Sequence, residues 1–264
     1  LETNPDTKAV YIVTNETSSG AMCHWLKEAG DLTSKHGAFL IADAVSNWGA
    51  DKMPLRDYNI DFIATCSQKS IAAPPGLALI SISTKYKDQI FKDTQKLHFL
   101  NLPRYINFFD KKSQTPFTPA LPLYFALDKA FDLMLDEGMD NRYLRHGYCG
   151  KAFYDAFEAM GLKLFGVQEV RSNTVISVAY PDGIKDKDFR SSLETQYGVV
   201  VAGGFGDYVG KLFRIGSLGI VNQYHVLTTI SAIGNNLRRL GFNANLDSAL
   251  DVAMKNLTNI RSKL

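Results

Sequence analysis

The tripeptide Ser67-Gln68-Lys69 stands between an apolar run at residues 60–66 and the turn sequence Ala73-Pro74-Pro75-Gly76. A lysine there is oddly placed for a surface charge. Burying an ammonium is costly unless it is paired, neutralised or made covalent. A desolvated lysine amine is also a nucleophile for carbonyl carbon. Two more polar residues follow apparent strands in the same way. Asp43 ends the run Ala38-Phe39-Leu40-Ile41-Ala42, and Thr17 lies just past the run at residues 9–14. In open parallel sheets ligands bind beyond the carboxyl ends of strands, so the three groups could face one crevice. Each also has a plainer reading. Asp43 suits a helix cap for Ala44-Val45-Ser46, Lys69 a snorkelling surface lysine, and Thr17 a loop residue without a partner.

The elements that would carry these residues follow from apolar patterning. Residues 9–14 read as a short strand and residues 15–20 as loop. Residues 22–36 read as a helix that Gly37 stops. The unbroken apolar runs at 38–42, 60–65 and 77–82 fit strands buried on both faces, as in a parallel sheet covered by helices. Residues 87–118 have no regular pattern. Residues 120–135 and 140–160 are spaced as two long helices. Beyond Gly161, residues 175–179 alternate like a half-buried strand, 187–197 suit a helix, and 199–202 and 211–215 suit two more strands. Residues 224–240 and 246–264 read as terminal helices. The whole is an α/β sheet domain followed by a smaller α+β domain, with the boundary inside the helical stretch at 140–160.

Bulk properties exclude several classes. The 264 residues are 45% hydrophobic and 21% charged, ordinary for a globular protein. Net charge is +2, with no basic excess to recruit nucleic acid. No apolar segment is long enough to span a membrane, and Leu1-Glu2-Thr3-Asn4-Pro5-Asp6 is not a signal peptide start. Three widely spaced cysteines (23, 66, 149) form neither a CxxC pair nor a disulfide framework, which places the chain in a reducing cytoplasm. The five histidines lack metal-ligand spacing, so no metal is expected. Gly203-Gly204-Phe205-Gly206 superficially resembles a phosphate loop. It lacks the full pattern and precedes a strand, so it reads as a tight turn.

The order of pieces is more specific than any one of them. Asn15-Glu16-Thr17-Ser18-Ser19-Gly20, Asp43-Ala44-Val45-Ser46, Tyr58-Asn59-Ile60-Asp61, Ser67-Gln68-Lys69, Pro74-Pro75-Gly76 and Phe213-Arg214-Ile215-Gly216-Ser217-Leu218-Gly219 occur in that sequence. Together they resemble the class V aminotransferases dependent on pyridoxal 5'-phosphate (PLP), of the alanine–glyoxylate and serine–pyruvate type. The resemblance runs from about residue 10 to the C-terminus. It implies the PLP-dependent transferase fold of type I, with residues 1–145 as the C-terminal portion of the cofactor-binding large domain and 146–264 as the small domain.

By the same resemblance, Lys69 would hold PLP as a Schiff base and shuttle a proton at the substrate Cα. Asp43 would keep the pyridine nitrogen protonated, making the ring a better electron sink. Val45 would pack on the ring, Thr17 would bond the oxygen on its phenolate side, and Gln68 would contact the phosphate region. Arg214 would grip the substrate α-carboxylate. In Gln114-Thr115-Pro116-Phe117-Thr118-Pro119, Thr118 would reach a partner subunit's cofactor phosphate, which implies a homodimer. Relatives often carry a tyrosine where this chain has Thr115, whose shorter hydroxyl is a poorer phosphate ligand. Cys66 invites a desulfurase reading, which Gln68 in place of the usual histidine opposes.

The reaction so implied moves an amino group from alanine, serine or aspartate to glyoxylate or pyruvate. Another PLP reaction such as a lyase, or a non-catalytic subunit, is the alternative. The family's phosphate-binding glycine-rich segment and ring-stacking aromatic precede the strand at residue 10 and are not found here. A complementary N-terminal segment or chain is therefore an expected partner.

Overall fold

A computed structural model describes residues 1–92 and 97–261. Seven short elements build the first half of the site. Strand β1 (Ala9–Val13) runs into a two-residue hairpin, β2 (Asn15–Glu16) and β3 (Ala21–Met22), and helix α1 (Leu26–His36) follows. Then come β4 (Phe39–Asp43), β5 (Phe62–Cys66) and β6 (Ala78–Ile82). The sheet order is β1-β4-β5-β6, with β1, β4 and β5 parallel and β6 antiparallel to β5. The carboxyl ends of β1, β4 and β5 therefore lie together, at Val13, Asp43 and Cys66.

Three sequence expectations need correction here. The segment after residue 14 is not all loop, because Asn15 pairs with Met22; this delays the helix start from residue 22 to Leu26. Residues 77–82 do not extend the parallel set, since the Pro-Pro-Gly turn reverses the chain into an antiparallel pair. Nor is every run buried on both faces. Leu40, Ala42 and Ile63 pack with Leu26 and Ile60 in a core under one face. On the other face Tyr11, Val13 and Ile80 are 62%, 41% and 43% exposed.

The stretch from 87 to 118 is more regular than its composition implies. Helix α2 (Thr84–Ile90) starts where the Ser83 hydroxyl oxygen accepts the Tyr86 N–H at 3.1 Å and donates to Asp61 at 2.7 Å. Helix α3 (Leu102–Lys112) is capped by Asn101, which accepts the Arg104 N–H at 2.8 Å. Its aromatic residues were hard to assign because none is buried. Tyr105 instead clusters with Phe99 and Phe117 at centroid distances of 6.3 and 5.9 Å. Residues 93–96 lie outside the described residues.

Two long helices follow, α4 (Leu121–Glu137) and α5 (Met139–Ala159). A second sheet, ordered β7-β9-β8, is antiparallel and built from β7 (Val175–Ala179), β8 (Ala202–Gly203) and β9 (Leu212–Gly216). Strand β7 is buried along nearly its whole length rather than half-buried, and the strand expected at 199–202 reduces to the pair Ala202–Gly203. Helices α6 (Asp186–Tyr197), α7 (Gln223–Arg239) and α8 (Leu246–Arg261) complete the C-terminal layer, and residues 262–264 lie outside the described residues. Phe153, Phe157, Phe189 and Phe213 centre its apolar core.

Candidate active site

Asp43 occupies the last position of β4, opposite Val13 and Ala64. Its carboxylate is oriented from two sides. Oδ1 accepts the Val45 N–H at 3.0 Å, and Oδ2 accepts the Tyr11 hydroxyl at 3.2 Å. Asp43 thus caps a turn, not a helix. The Tyr11 hydroxyl is held above its ordinary pKa by partial burial and by the neighbouring carboxylate. Beneath, Thr14 donates to the Asp43 carbonyl at 2.9 Å and its N–H reaches the same oxygen at 2.8 Å.

The lysine turn begins one residue past β5. Ser67, fully buried, donates to the Pro74 carbonyl at 2.7 Å, and its own carbonyl accepts the Ala73 N–H at 2.9 Å. The Lys69 carbonyl accepts the Ala72 N–H at 3.0 Å, with Ala72 in the left-handed region at φ 65°. A non-glycine residue there costs about 1 kcal/mol or more, so surrounding contacts must hold the turn. Gly76 closes it at φ 133°, where a Cβ would lie 2.6 Å from a Leu123 methyl. Cys66 Sγ sits 3.8 Å from the Val45 carbonyl, which puts the Asp43-Val45 turn beside the lysine turn. Cys66 is half-buried at the end of β5. Lys69 is half-buried, and its amine has no hydrogen bond or ion pair among the described residues. Gln68 is exposed.

Arg214 lies mid-way along β9, paired with Ser177 and Ala202. Its Nε donates to the Gly203 carbonyl at 2.8 Å and its Nη1 to the Thr17 carbonyl. Both hydrogen-bond partners are neutral carbonyls; Glu16 is a nearby carboxylate, its pKa lowered chiefly by its bonds to Ser18 and also by Arg214. The Thr17 hairpin is further tied to this region by Ser172 N–H to the Gly20 carbonyl at 2.9 Å and Asn15 to Thr174 at 3.1 Å. Beyond β9, Gly219 packs on the lysine turn: a Cβ there would lie 3.2 Å from the Ala72 Cβ and 3.5 Å from the Lys69 carbonyl.

The geometry thus brings together Asp43 and Val45, the Lys69 turn, and the Arg214–Thr17 pair. Thr118 is exposed and lines a separate open cleft of about 950 Å³ with Gln114, Thr115 and Tyr124. The Thr115 hydroxyl donates to the Phe117 carbonyl at 2.7 Å and so serves its own turn. Gly203 is the last residue of β8, and the connection to β9 runs through Gly204 and Phe205 into a single 3-10 turn at Gly206–Tyr208, longer than the tight turn expected. Sequence reasoning missed Tyr11. Its signal was its place in β1, two residues before the strand end and on the Asp43 face.

The sequence profile of the family described as aminotransferase class-V matches residues 2–213. An uncharacterized aminotransferase of Methanocaldococcus jannaschii is 43% identical over 96% of this chain and 66% of its own length. A serine–glyoxylate aminotransferase of Arabidopsis thaliana is 31% identical over 95% of the chain and 63% of its own length. The crystal structure of pyridoxamine–pyruvate aminotransferase from Mesorhizobium loti superposes with a TM-score of 0.93 at 29% identity, covering 98% of this chain and 67% of that one. The chain belongs to the class V aminotransferases, a PLP-dependent family with the type I fold. It spans about two thirds of the length of the curated relatives it matches.

The residues present fit PLP at the ring end. An oriented carboxylate suits a pyridine nitrogen, and an unpaired amine suits the aldehyde carbon. The lysine turn also carries the exposed Gln68 side chain and the Ser70 hydroxyl.

Proposed function

We propose that this chain supplies the lysine, aspartate and arginine of a PLP-dependent aminotransferase. Lys69 would hold the cofactor, Asp43 its ring nitrogen, Val45 a ring face, Thr17 the ring oxygen, and Gln68 part of the phosphate. When bound, PLP supplies the electron sink for the pair left on the substrate Cα. Asp43 keeps a proton at the ring nitrogen, and its two oriented oxygens need no reorganisation to do so. The Lys69 amine would take the proton from the substrate Cα and deliver it to the cofactor carbon that receives the amino group. Arg214 has one Nη1 and both Nη2 protons left after its two carbonyl bonds, enough for an end-on fork to an α-carboxylate. A small donor (alanine, serine or aspartate) and a small acceptor (glyoxylate or pyruvate) suit this set. The observation carrying the reading is the placement of the unpaired Lys69 amine on a turn that touches both the Asp43-Val45 turn and the segment after Arg214.

The assembly we propose is a cytoplasmic homodimer in which Thr118 meets the partner subunit's cofactor phosphate. Exposed apolar side chains on α3 and α4, Phe109, Leu121 and Phe125 among them, support a covered surface there. The open face of the β1-β4-β5-β6 sheet supports a complementary N-terminal segment. We place the division between residues 1–145 and 146–264 within α5, because Cys149 and the residues after it join the C-terminal core whereas Ala130 and Met134 pack with Ile71. A non-catalytic subunit is the second reading, favoured by the sparse phosphate end. The chain, alone and with the complementary segment supplied, would be given PLP and a panel of amino donors. Acceptor-dependent formation of a 2-oxo acid is expected. Ammonia release without an acceptor would indicate a lyase, and no turnover of any donor a non-catalytic subunit.

A further inference from the structure

Arg142 of α5 is 4% exposed, yet it belongs to none of the groups above. Its guanidinium gathers main-chain carbonyls from three separate turns. Nε donates to Gly49 at 3.0 Å, and Nη2 donates to Ser70 and, at 3.5 Å, to Gly219. Nη1 pairs with Glu137 at 2.7 Å. One helical turn on, Arg145 holds both Glu137 oxygens at 2.5 and 3.0 Å, the Gly219 carbonyl at 3.1 Å and the Val221 carbonyl. Ser70 directly follows Lys69, Gly49 follows the Asp43-Val45 turn, and Gly219 follows the Arg214 strand.

A buried and a largely buried arginine sharing one carboxylate are costly to assemble, so such a network is weak evidence for stability by itself. A planar fork with five donors is the side chain able to satisfy several turn carbonyls at once. We propose that Arg142, supported by Glu137 and Arg145, is a positioning residue. It locks the lysine turn to the segment after Arg214, so that the amine and the carboxylate anchor keep a fixed separation. This rests on the roles given above to Lys69 and Arg214. None of the hub residues is among those assigned above to substrate or cofactor. Its effect passes through the Ser70 and Gly219 carbonyls and the close packing of Gly219 on Ala72.

The test uses Arg142→Lys, which keeps the charge and the Glu137 pair but cannot span the carbonyls. Hydrogen exchange at the Ala72 and Ala73 amides, bonded to the Lys69 and Ser67 carbonyls, should quicken about tenfold or more while α5 stays protected. PLP affinity by absorbance titration should weaken about tenfold. Should Arg142→Lys fail to fold, Gly219→Ala, which presses a Cβ onto Ala72, is read in the same way. Unchanged exchange in residues 67–73 overturns the proposal. Faster exchange with wild-type PLP affinity also overturns it, since the tie would then be structural only. A wild-type chain whose Lys69 never reacts with PLP counts against the proposed function, and the exchange result still decides the role of Arg142.

Discussion

An amine stays available for carbonyl chemistry only where no carboxylate claims it, and Lys69 meets that condition, unlike several lysines elsewhere in the chain. Lys27, Lys87 and Lys151 all pair with aspartates. Asp43 is the complement, an acid fixed by one main-chain and one phenolic donor. Tyr11→Phe removes the phenolic donor and should weaken PLP binding a few-fold, by about 1 kcal/mol, in an absorbance titration; unchanged affinity would show that the Val45 N–H suffices. Arg214→Ala should raise KM for the amino donor about 100-fold with a smaller effect on kcat, as expected when a charge-assisted fork worth about 2–3 kcal/mol is lost. Steady-state kinetics with two donors that share only the α-carboxylate would check it. The positions of Asp43 at a strand end, Lys69 just past one and Arg214 within one were legible in the sequence, because each sits in a short local pattern. Tyr11 and Arg142 were not. The first depends on strand register, and the second on the convergence of turns 49, 70 and 219, which are distant in the chain.

At the scale of elements, close packing overrides local preference. Gly30 lies inside α1, where alanine is the better helix former by about 1 kcal/mol. A Cβ at that position would lie 1.8 Å from the Tyr58 carbonyl oxygen. Overpacking then dominates, and Gly30→Ala should destabilise by roughly 1–3 kcal/mol in a denaturant titration. Helix α5 carries a pH dependence. His146 is fully buried, with Nδ1 2.8 Å from the Arg142 carbonyl oxygen. Burial, together with the two nearby arginines, lowers its pKa to about 4. The unfolded chain therefore binds a proton that the folded one refuses between about pH 6.5 and 4. Stability should fall as pH drops through that window, by on the order of 3 kcal/mol at most, and His146→Leu should flatten the dependence. The helices at 121–137 and 139–159 were readable from apolar spacing. Helix α3 was not, because its aromatic residues cluster at the surface instead of marking a core-facing stripe. The antiparallel β6 was missed because an apolar run carries no direction; the Pro-Pro-Gly turn sets it.

For the whole molecule, the informative feature is what remains uncovered. One sheet face exposes Tyr11, Val13 and Ile80, and helices α3 and α4 expose Phe109, Leu121 and Phe125. Surfaces of this kind are ordinarily covered in the working assembly. Phe125→Asp should shift a self-associated species to monomer in sedimentation velocity without changing the fold by circular dichroism. An unchanged sedimentation coefficient would remove that helix face from the proposed dimer. The type I architecture was legible from the order of motifs; the apolar runs alone do not show that one sheet face is open, because they report what a strand can bury and not what is present to cover it. The account turns on Lys69. The chain, with and without a complementary N-terminal segment, would be mixed with PLP, reduced with borohydride and mapped by peptide mass. A pyridoxyl group on Lys69, lost in Lys69→Ala, is the expected result; no label on Lys69 in either preparation would overturn its assignment as the cofactor lysine.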